Sequence, residues 1–137
     1  MDVKELMIGD YIRQKHSNLV LKVSAITPPY VQCEGENGQF HEDTIEPILL
    51  SVEILEKNEF AYCISNGCCV GYFDESYSNQ TMEVLIFNVK SEYRNNQLHI
   101  CDANNDNRVM LHLMACNFVH ELQHVFRTCG INKEIKL

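Results

Sequence analysis

Apolar and polar residues alternate in short runs through the first fifty positions, with the two-residue period of β-strands. Turn-forming residues separate the runs, among them Pro28-Pro29 and Asn37-Gly38. Pro47 cannot donate a ladder hydrogen bond, which places the last run at a sheet edge. Five short strands in this order predict a small, strongly bent β-barrel. The predicted strands cover residues 10–14, 19–26, 30–33, 39–41 and 45–50.

The rest of the chain predicts a short helix, an antiparallel sheet and one C-terminal helix. The short helix covers residues 51–58, with Ser51 as its N-cap and Asn58 as a left-handed stop. Gly130 is a stop signal for the C-terminal helix. The other predicted elements are a hairpin around Asn66-Gly67, a strand over 81–89, a hairpin that pairs 97–101 with 108–114, and a final strand over 134–137.

These patterns predict an α+β fold in three parts. A small β-barrel-like subdomain covers residues 1–50, a connecting helix covers 51–59, and an antiparallel sheet packed by the C-terminal amphipathic helix covers 60–137. The opening residues 7–12, Met-Ile-Gly-Asp-Tyr-Ile, resemble the first strand of an SH3-like barrel. Such barrels serve peptide-binding, nucleic-acid-binding and structural roles, so the resemblance implies a fold and no activity.

The C-terminal helix has a marked apolar face. At about 100° per residue, one stripe centred near Leu122 collects the apolar residues, whereas His120, His124 and Arg127 fall on the opposite side. We expect the Leu122 side to be buried and the histidine side to face solvent, with a cleft as the alternative. The apolar stripe contains Phe118, Val119, Leu122, Val125, Phe126 and Cys129.

The same helix contains the one short motif with a named chemistry. His120, Glu121 and His124 have the H-E-x-x-H spacing, in which two imidazoles one helical turn apart hold zinc and the glutamate acts as general base. The two uncharged residues that precede His124, Leu122 and Gln123, resemble the longer zincin pattern. Asn117 departs from it, because that pattern has a small β-branched residue there.

A catalytic zinc ion needs a third protein ligand, and the chain offers none at a suitable position. The metzincin extension requires Gly and His where this chain has Arg127 and Gly130, and Glu134 lies in a short tail. His99 and His112 would point away from the helix if the helix covers the apolar face of their hairpin. We therefore interpret the motif as part of an ordinary amphipathic helix.

Residues 102–107, Asp-Ala-Asn-Asn-Asp-Asn, place oxygen ligands at alternate positions, like the start of a calcium loop. Asn107 stands at the turn position that needs Gly, and Leu113 stands where the closing glutamate belongs. Asn and Asp are also typical of hairpin turns. We interpret the segment as a hairpin loop.

Composition narrows the function classes. The 137 residues carry a formal charge of −8, and the closest approach to a basic patch is Arg13, Lys15 and Lys22, so nucleic-acid binding is not expected. No apolar run has the length of a membrane span, and the N-terminus lacks the pattern of a secretory signal. Seven scattered cysteines without C-x-x-C spacing favour reduced thiols in a cytoplasm over a disulfide or zinc framework.

Three strings carry a resemblance to a known group of proteins. They are Lys-Glu-Leu-Met-Ile-Gly-Asp at 4–10, Ile-Glu-Pro-Ile-Leu-Leu-Ser at 45–51 leading into Ile-Leu-Glu-Lys-Asn at 54–58, and Val-His-Glu-Leu-Gln-His at 119–124. Together they resemble a family of small uncharacterised proteins from Bacteroides-type gut bacteria and their phages or mobile elements. The resemblance covers about half of the chain and implies a cellular setting and an architecture, without a mechanism.

Two hypotheses of function follow. The first is a non-enzymatic cytoplasmic protein, associated with a phage or mobile element, that acts by binding an unknown protein partner; it has no catalytic, cofactor or metal residues. The alternative is a zinc-dependent hydrolase that uses His120 and His124 as metal ligands and Glu121 as the catalytic base.

Overall fold

The protein has an α+β fold, as the sequence predicts, with two five-stranded antiparallel sheets. A computed structural model describes residues 1–63, 68–74, 82–88, 97–102, 108–128 and 130–137, with side chains described in residues 1–60, 116–128 and 130–137. The chain forms two compact units. Unit 1 comprises Met1–Leu49 and Phe118–His124, and unit 2 comprises Leu50–Asn117 and Val125–Leu137.

Unit 1 contains the first sheet, with the strand order β4-β3-β2-β1-β5. Its strands are β1 (Tyr11–Gln14), β2 (Val20–Thr27), β3 (Tyr30–Cys33), β4 (Gln39–His41) and β5 (Ile45–Pro47). Single turns of 3₁₀ helix precede β1 (Val3–Glu5) and β5 (Glu42–Thr44). A register shift between Val23 and Ala25 interrupts the pairing of β2 with β3. Because β4 and β5 occupy opposite edges, the sheet is open. The predicted small, strongly bent β-barrel is therefore corrected on one point, since its sheet is not closed.

Alternating positions of these strands form the core of unit 1. The pattern arises because successive side chains of a strand point to opposite faces. The turn from β3 to β4 uses Gly35 and Gly38 at φ angles of +77° and +145°, where a side chain would be strained. Pro47 lies in the edge strand β5, as predicted. The buried cluster comprises Val3, Leu6, Ile12, Leu21, Val23, Val31, Cys33 and Ile45.

Unit 2 contains the second sheet, whose five strands follow one another in the order β10-β9-β8-β7-β6. The strands are β6 (Phe60–Cys63), β7 (Cys68–Asp74), β8 (Met82–Asn88), β9 (Gln97–Asp102) and β10 (Arg108–Ala115). His112 lies opposite His99 in the β9–β10 ladder, which confirms the predicted pairing. Asn66-Gly67 and residues 103–107 of the segment that we interpret as a hairpin loop lie outside the described residues.

The connecting helix α1 covers Val52–Lys57. The Ser51 hydroxyl accepts a hydrogen bond from the Ile54 amide at 3.2 Å, which confirms the predicted N-cap. The predicted left-handed stop at Asn58 is wrong: Asn58 has φ −106°, and the left-handed residue is Glu59, with φ +69°. The contribution of Asn58 comes instead from its side chain, which forms hydrogen bonds with the backbone.

The Asn58 carboxamide binds the C-terminal segment within unit 2. Its Nδ2 donates to the carbonyls of Ile54 and Lys136, and its Oδ1 accepts from the Lys136 amide, each at 2.7 Å. Residues 131–137 are irregular, so the predicted strand over 134–137 is wrong. The reason is that one side chain satisfies the donor and the acceptor of Lys136, as a neighbouring strand would otherwise do.

Helix α2 covers Val119–Thr128. It ends as predicted: Gly130 has φ +70°, its amide donates to the Arg127 carbonyl, and the Ile131 amide donates to the Phe126 carbonyl at 2.8 Å. The helix contributes residues to both units, with Phe118–His124 assigned to unit 1. Among the described residues, no helix is long and apolar enough to cross a membrane.

Candidate functional site: the turn at Asp10 and the start of helix α2

The first turn of α2 is fixed to the chain segment that follows β5. The Val119 amide donates to the Ile48 carbonyl at 2.9 Å, and Leu49 forms an isolated antiparallel bridge with Phe118. The Glu121 carboxylate accepts a hydrogen bond from the Phe118 amide at 3.0 Å. Because Glu121 is the third residue of the helix, this is half of a capping box. The proposed general base of the zinc hypothesis therefore serves as a helix cap.

The His124 imidazole binds a carboxylate near the start of the chain. Its Nε2 lies 2.7 Å from Oδ2 of Asp10, which is fully buried, whereas 23% of the His124 side chain is exposed. The same Asp10 oxygen accepts the Met7 amide at 2.7 Å. The Asp10 amide donates to the Met7 carbonyl, which closes a tight turn over residues 7–10.

Gln123, which directly precedes His124, forms hydrogen bonds with the backbone on both sides of Asp10. Its Oε1 accepts the Tyr11 amide and its Nε2 donates to the Gly9 carbonyl, each at 2.9 Å. Only 8% of Gln123 is exposed. Gln123 and His124 thus dock helix α2 onto the turn at Asp10 through three hydrogen bonds, and we call this contact the helix–turn lock.

His120 is buried beside the lock, with 3% of the residue exposed. Its ring stacks on Phe118, with centroids 5.7 Å apart and an interplanar angle of 9°, and meets the His124 ring edge-on at 5.7 Å. Its Nδ1 has no hydrogen-bond partner. Burial lowers the pKa of His120 below its usual value, although the carboxylates of Glu121, Asp10 and Glu5 act in the opposite direction.

The expectation that the histidine side of α2 faces solvent is therefore wrong for His120. Leu122 is fully buried, as predicted, yet His120 is buried as well, and His124 is largely covered. The reason is that the turn at Asp10 packs against the polar side of the helix through hydrogen bonds. The hydrophobic pattern does not register such a contact, because it measures only apolar burial.

The zinc hypothesis finds no coordination set in the part of the chain that the structure describes. No group of three or more His, Cys, Asp or Glu residues there has a geometry that could hold a metal ion. Glu121 is bound to the Phe118 amide, and the Nε2 of His124 is directed at Asp10. The other candidate ligands belong to unit 2: His99 lies in β9, His112 in β10, and Glu134 in the C-terminal segment.

Sequence reasoning missed Asp10 and Gln123 as partners of the motif. A usable signal was present at Asp10, since an acidic residue next to Gly9, in a segment between apolar residues, is typical of a tight turn. Nothing in the sequence around Gln123 indicated that its carboxamide would bind backbone. Buried carboxamides are identified only when their partners are known.

The turn in the helix–turn lock presents two large apolar side chains to solvent. Met7 is 50% exposed and Ile8 is 67% exposed, the largest value among the exposed large hydrophobic residues described. The backbone between them and β1 is held at several points, including a hydrogen bond of 2.7 Å from the Gly9 amide to the Val23 carbonyl. Gly9 has φ +91°, so this backbone position favours glycine. The exposed apolar pair is thus part of a rigid turn.

Two of the three cations considered for nucleic-acid binding, Lys15 and Lys22, have local partners. The Lys22 ammonium lies 5.9 Å from the centroid of the Tyr11 ring and 3.9 Å from the Glu34 carboxylate. The Lys15 ammonium donates to the Asp43 carbonyl at 2.7 Å.

No family model matches the chain, and no curated protein or solved structure is significantly similar to it.

Proposed function

We propose that the protein is a non-enzymatic binding protein that contacts a protein partner through the apolar tip formed by Met7 and Ile8. The observation that carries this proposal is the combination of exposure and rigidity at the turn: two large apolar side chains remain in solvent above a fully buried Asp10. Binding at a rigid apolar anchor costs little ordering entropy, which is why such anchors dominate interface energies.

The helix–turn lock supports the proposal because it gives the residues of the H-E-x-x-H motif a structural role that needs no catalysis. Glu121 caps the helix, and Gln123 and His124 hold the turn that carries the tip. Two of the strings that resemble the Bacteroides-type family, at residues 4–10 and 119–124, thus contact each other. Membership of that family, and a phage or mobile-element setting, are part of the proposal.

The net charge of the chain limits the kinds of protein that we expect as its partner. The chain carries a formal charge of −8, so a second copy or an acidic protein would be repelled. We take the partner to be a protein with an apolar cleft bordered by basic residues. A reduced, cytoplasmic setting, which the spacing of the cysteines in the sequence favours, is also part of the proposal.

Two finer features of the fold belong to the proposal. The strand order, the register shift in β2 and the 3₁₀ turn before β5 support an SH3-like barrel of the open kind for residues 1–50. Packing of the C-terminal helix on the second sheet is supported by Phe126, which is buried and stacks on Phe60 at the start of β6.

The test compares Ile8→Asp with Leu19→Asp, a matched substitution at an apolar residue of the same unit that is 45% exposed. A partner is captured from cells that encode the protein, purified, and titrated by calorimetry against both variants and the wild-type chain. We expect Ile8→Asp to weaken binding by at least about tenfold, which is about 1.4 kcal/mol, while Leu19→Asp binds like wild type. Equal affinities for the two variants would refute the proposed tip.

Metal analysis of protein purified without chelators tests the alternative. The proposal expects no stoichiometric zinc. Zinc bound in a one-to-one ratio and lost in His120→Ala would instead overturn the preference for the non-enzymatic hypothesis over the zinc-dependent one.

A further inference from the structure

Unit 2 contains a cavity lined by lysine side chains. It has a volume of about 290 Å³ and lies where the end of helix α1 meets helix α2 and the C-terminal segment 131–137. This volume is close to the lower limit of small-molecule binding sites, which is about 300 Å³. Every described residue that lines it belongs to unit 2. We call it the lysine cavity.

The charge of the lysine cavity is opposite to that of the whole chain. Three of the eleven lysine and arginine residues line it, Lys57, Lys133 and Lys136. Two carboxylates, those of Glu59 and Glu134, are also among its described lining residues. The chain as a whole carries a formal charge of −8. An anion is therefore repelled by the chain as a whole and attracted to this cavity.

Two of these lysines take part in ion pairs that a ligand can replace. Lys133 donates a hydrogen bond to the Glu59 carboxylate, and the Lys57 ammonium lies 3.6 Å from the Glu53 carboxylate. All four side chains are between 46% and 80% exposed. Ion pairs in solvent are weak, so an anion that binds several ammonium groups at once competes with a single carboxylate. The hydrogen bond and charge of Lys133, followed by the charge of Lys136, hold the pKa of the Glu59 carboxylate below its usual value, which places both ammonium groups near it.

One wall of the cavity is apolar and fixed in position. Phe126 is 3% exposed and stacks on Phe60, with ring centroids 6.5 Å apart. Asn58 also lines the cavity, and its carboxamide is occupied by the hydrogen bonds to Ile54 and Lys136. These bonds hold the backbone of Lys136 beside the end of helix α1. A ligand thus meets a preformed cavity, which lowers the entropic cost of binding.

We infer that the lysine cavity binds a small organic anion. Its carboxylate or phosphate group binds the three ammonium groups, and its apolar part contacts Phe126. Small-molecule sites combine an apolar surface with a few charged groups that fix the orientation of the ligand. Lysine suits either anionic group, because its ammonium is a point charge with three donors on a flexible stem. The inference does not depend on the proposed partner, since the apolar tip belongs to unit 1.

Titration of the isotope-labelled full chain with phenyl phosphate, followed by NMR, tests the inference. We expect a dissociation constant on the order of 1 mM, with shifts at the amides of Glu59, Lys133 and Lys136. The Glu34 amide, bonded to the Lys22 carbonyl at 2.8 Å in the first sheet, should not shift. If neither phenyl phosphate nor benzoate causes saturable shifts at the three amides of the cavity, the inference is overturned.

Three further probes separate the parts of the expected ligand. Benzoate has a carboxylate in place of the phosphate, methyl phosphate lacks the ring, and benzyl alcohol lacks the charge. We expect the tighter-binding of the two aromatic anions to bind about tenfold more tightly than methyl phosphate or benzyl alcohol, because both the anion and the ring make contacts. The same comparison identifies the anionic group as a carboxylate or a phosphate. Equal affinity for methyl phosphate or benzyl alcohol would remove half of the inferred contacts and overturn the inference.

Three variants test the lysine contacts. Lys136→Gln should weaken the binding of phenyl phosphate by about two- to fivefold, the effect of one exposed ion pair. Lys15→Gln makes the same change of charge in unit 1 and should bind like wild type. Glu59→Gln removes the carboxylate that competes for Lys133, so the affinity should rise by about two- to fivefold. Equal affinities for the two lysine variants, or a lower affinity for Glu59→Gln, would contradict the inferred contacts.

The backbone of Lys136 keeps its hydrogen bonds to Asn58 in Lys136→Gln, so we expect this variant to fold. If it does not fold, the shifted amides of the wild-type chain decide the question. Shifts around the lysine cavity support the inference, and shifts confined to unit 1 overturn it.

Discussion

Replacing Gln123 with alanine isolates the energy of the helix–turn lock. The substitution removes two hydrogen bonds, from the Tyr11 amide and to the Gly9 carbonyl, and leaves both backbone groups without partners. A buried polar group that loses its partner costs about 1–3 kcal/mol. Gly9 and Tyr11 are half-buried, so water reaches them in part. We therefore expect a loss of about 2–4 kcal/mol in the free energy of unfolding.

The variant Gln123→Glu tests the hydrogen bond to the Gly9 carbonyl specifically. The carboxylate can accept from the Tyr11 amide, but its second oxygen faces the Gly9 carbonyl, and two acceptors repel each other. We expect this variant to lose at least as much stability at pH 7 as the alanine variant. The control is Gln32→Ala, at an exposed position of β3, which should stay within about 0.5 kcal/mol of wild type.

Urea unfolding followed by circular dichroism measures these differences. With a slope of about 1–3 kcal/mol per molar urea, a loss of 3 kcal/mol lowers the midpoint by about 1–3 M. If Gln123→Ala and Gln32→Ala unfold at the same urea concentration, Gln123 does not stabilise the fold and the proposed lock is refuted.

Three further results are expected. Leu122→Ala should lower the unfolding free energy by about 2–5 kcal/mol, because Leu122 is fully buried; the same change at Leu137, which is 39% exposed, should cost far less, and similar losses would contradict the burial. Asn58→Ala should speed proteolysis near Lys136 in a time course read by mass spectrometry, and an unchanged cleavage rate would argue against the Asn58 clamp. Burial raises the pKa of the Cys33 thiol to about 11, so only about one molecule in a thousand is a thiolate at pH 8. Alkylation there should therefore be far slower than for a free thiol, and equal rates would show that Cys33 is accessible.

The strands of both sheets were predictable because each has a local signal. Alternation of apolar and polar residues fixes β1 to β5 to within a few residues, and turn residues separate them. The pairing of β9 with β10, with His112 opposite His99, follows from the short loop between two alternating runs. The prediction failed where a side chain replaced a strand, as Asn58 does for Lys136, since one carboxamide leaves no periodic pattern.

The candidate site was only half predictable, because its partners are far apart in sequence. Gln123 and Tyr11 are separated by 112 positions, and so no local pattern connects them. The H-E-x-x-H spacing correctly placed two histidines and a glutamate on one helix, and their rings are indeed neighbours. It could not indicate whether their nitrogens face a metal ion, solvent or another part of the protein.

The orientation of a single nitrogen decides between the two uses of this motif. Zinc at the motif would need the Nε2 of His124, which lies 2.7 Å from Asp10, a carboxylate that also binds the Met7 amide. Metal binding at this nitrogen would compete with the contacts that hold the turn. The contact between His124 and the buried Asp10 docks the helix onto the turn, and it occupies the nitrogen that a metal ion would need. A buried aspartate in a tight turn near the N-terminus, together with the motif, is therefore the combination that favours a structural role in this chain.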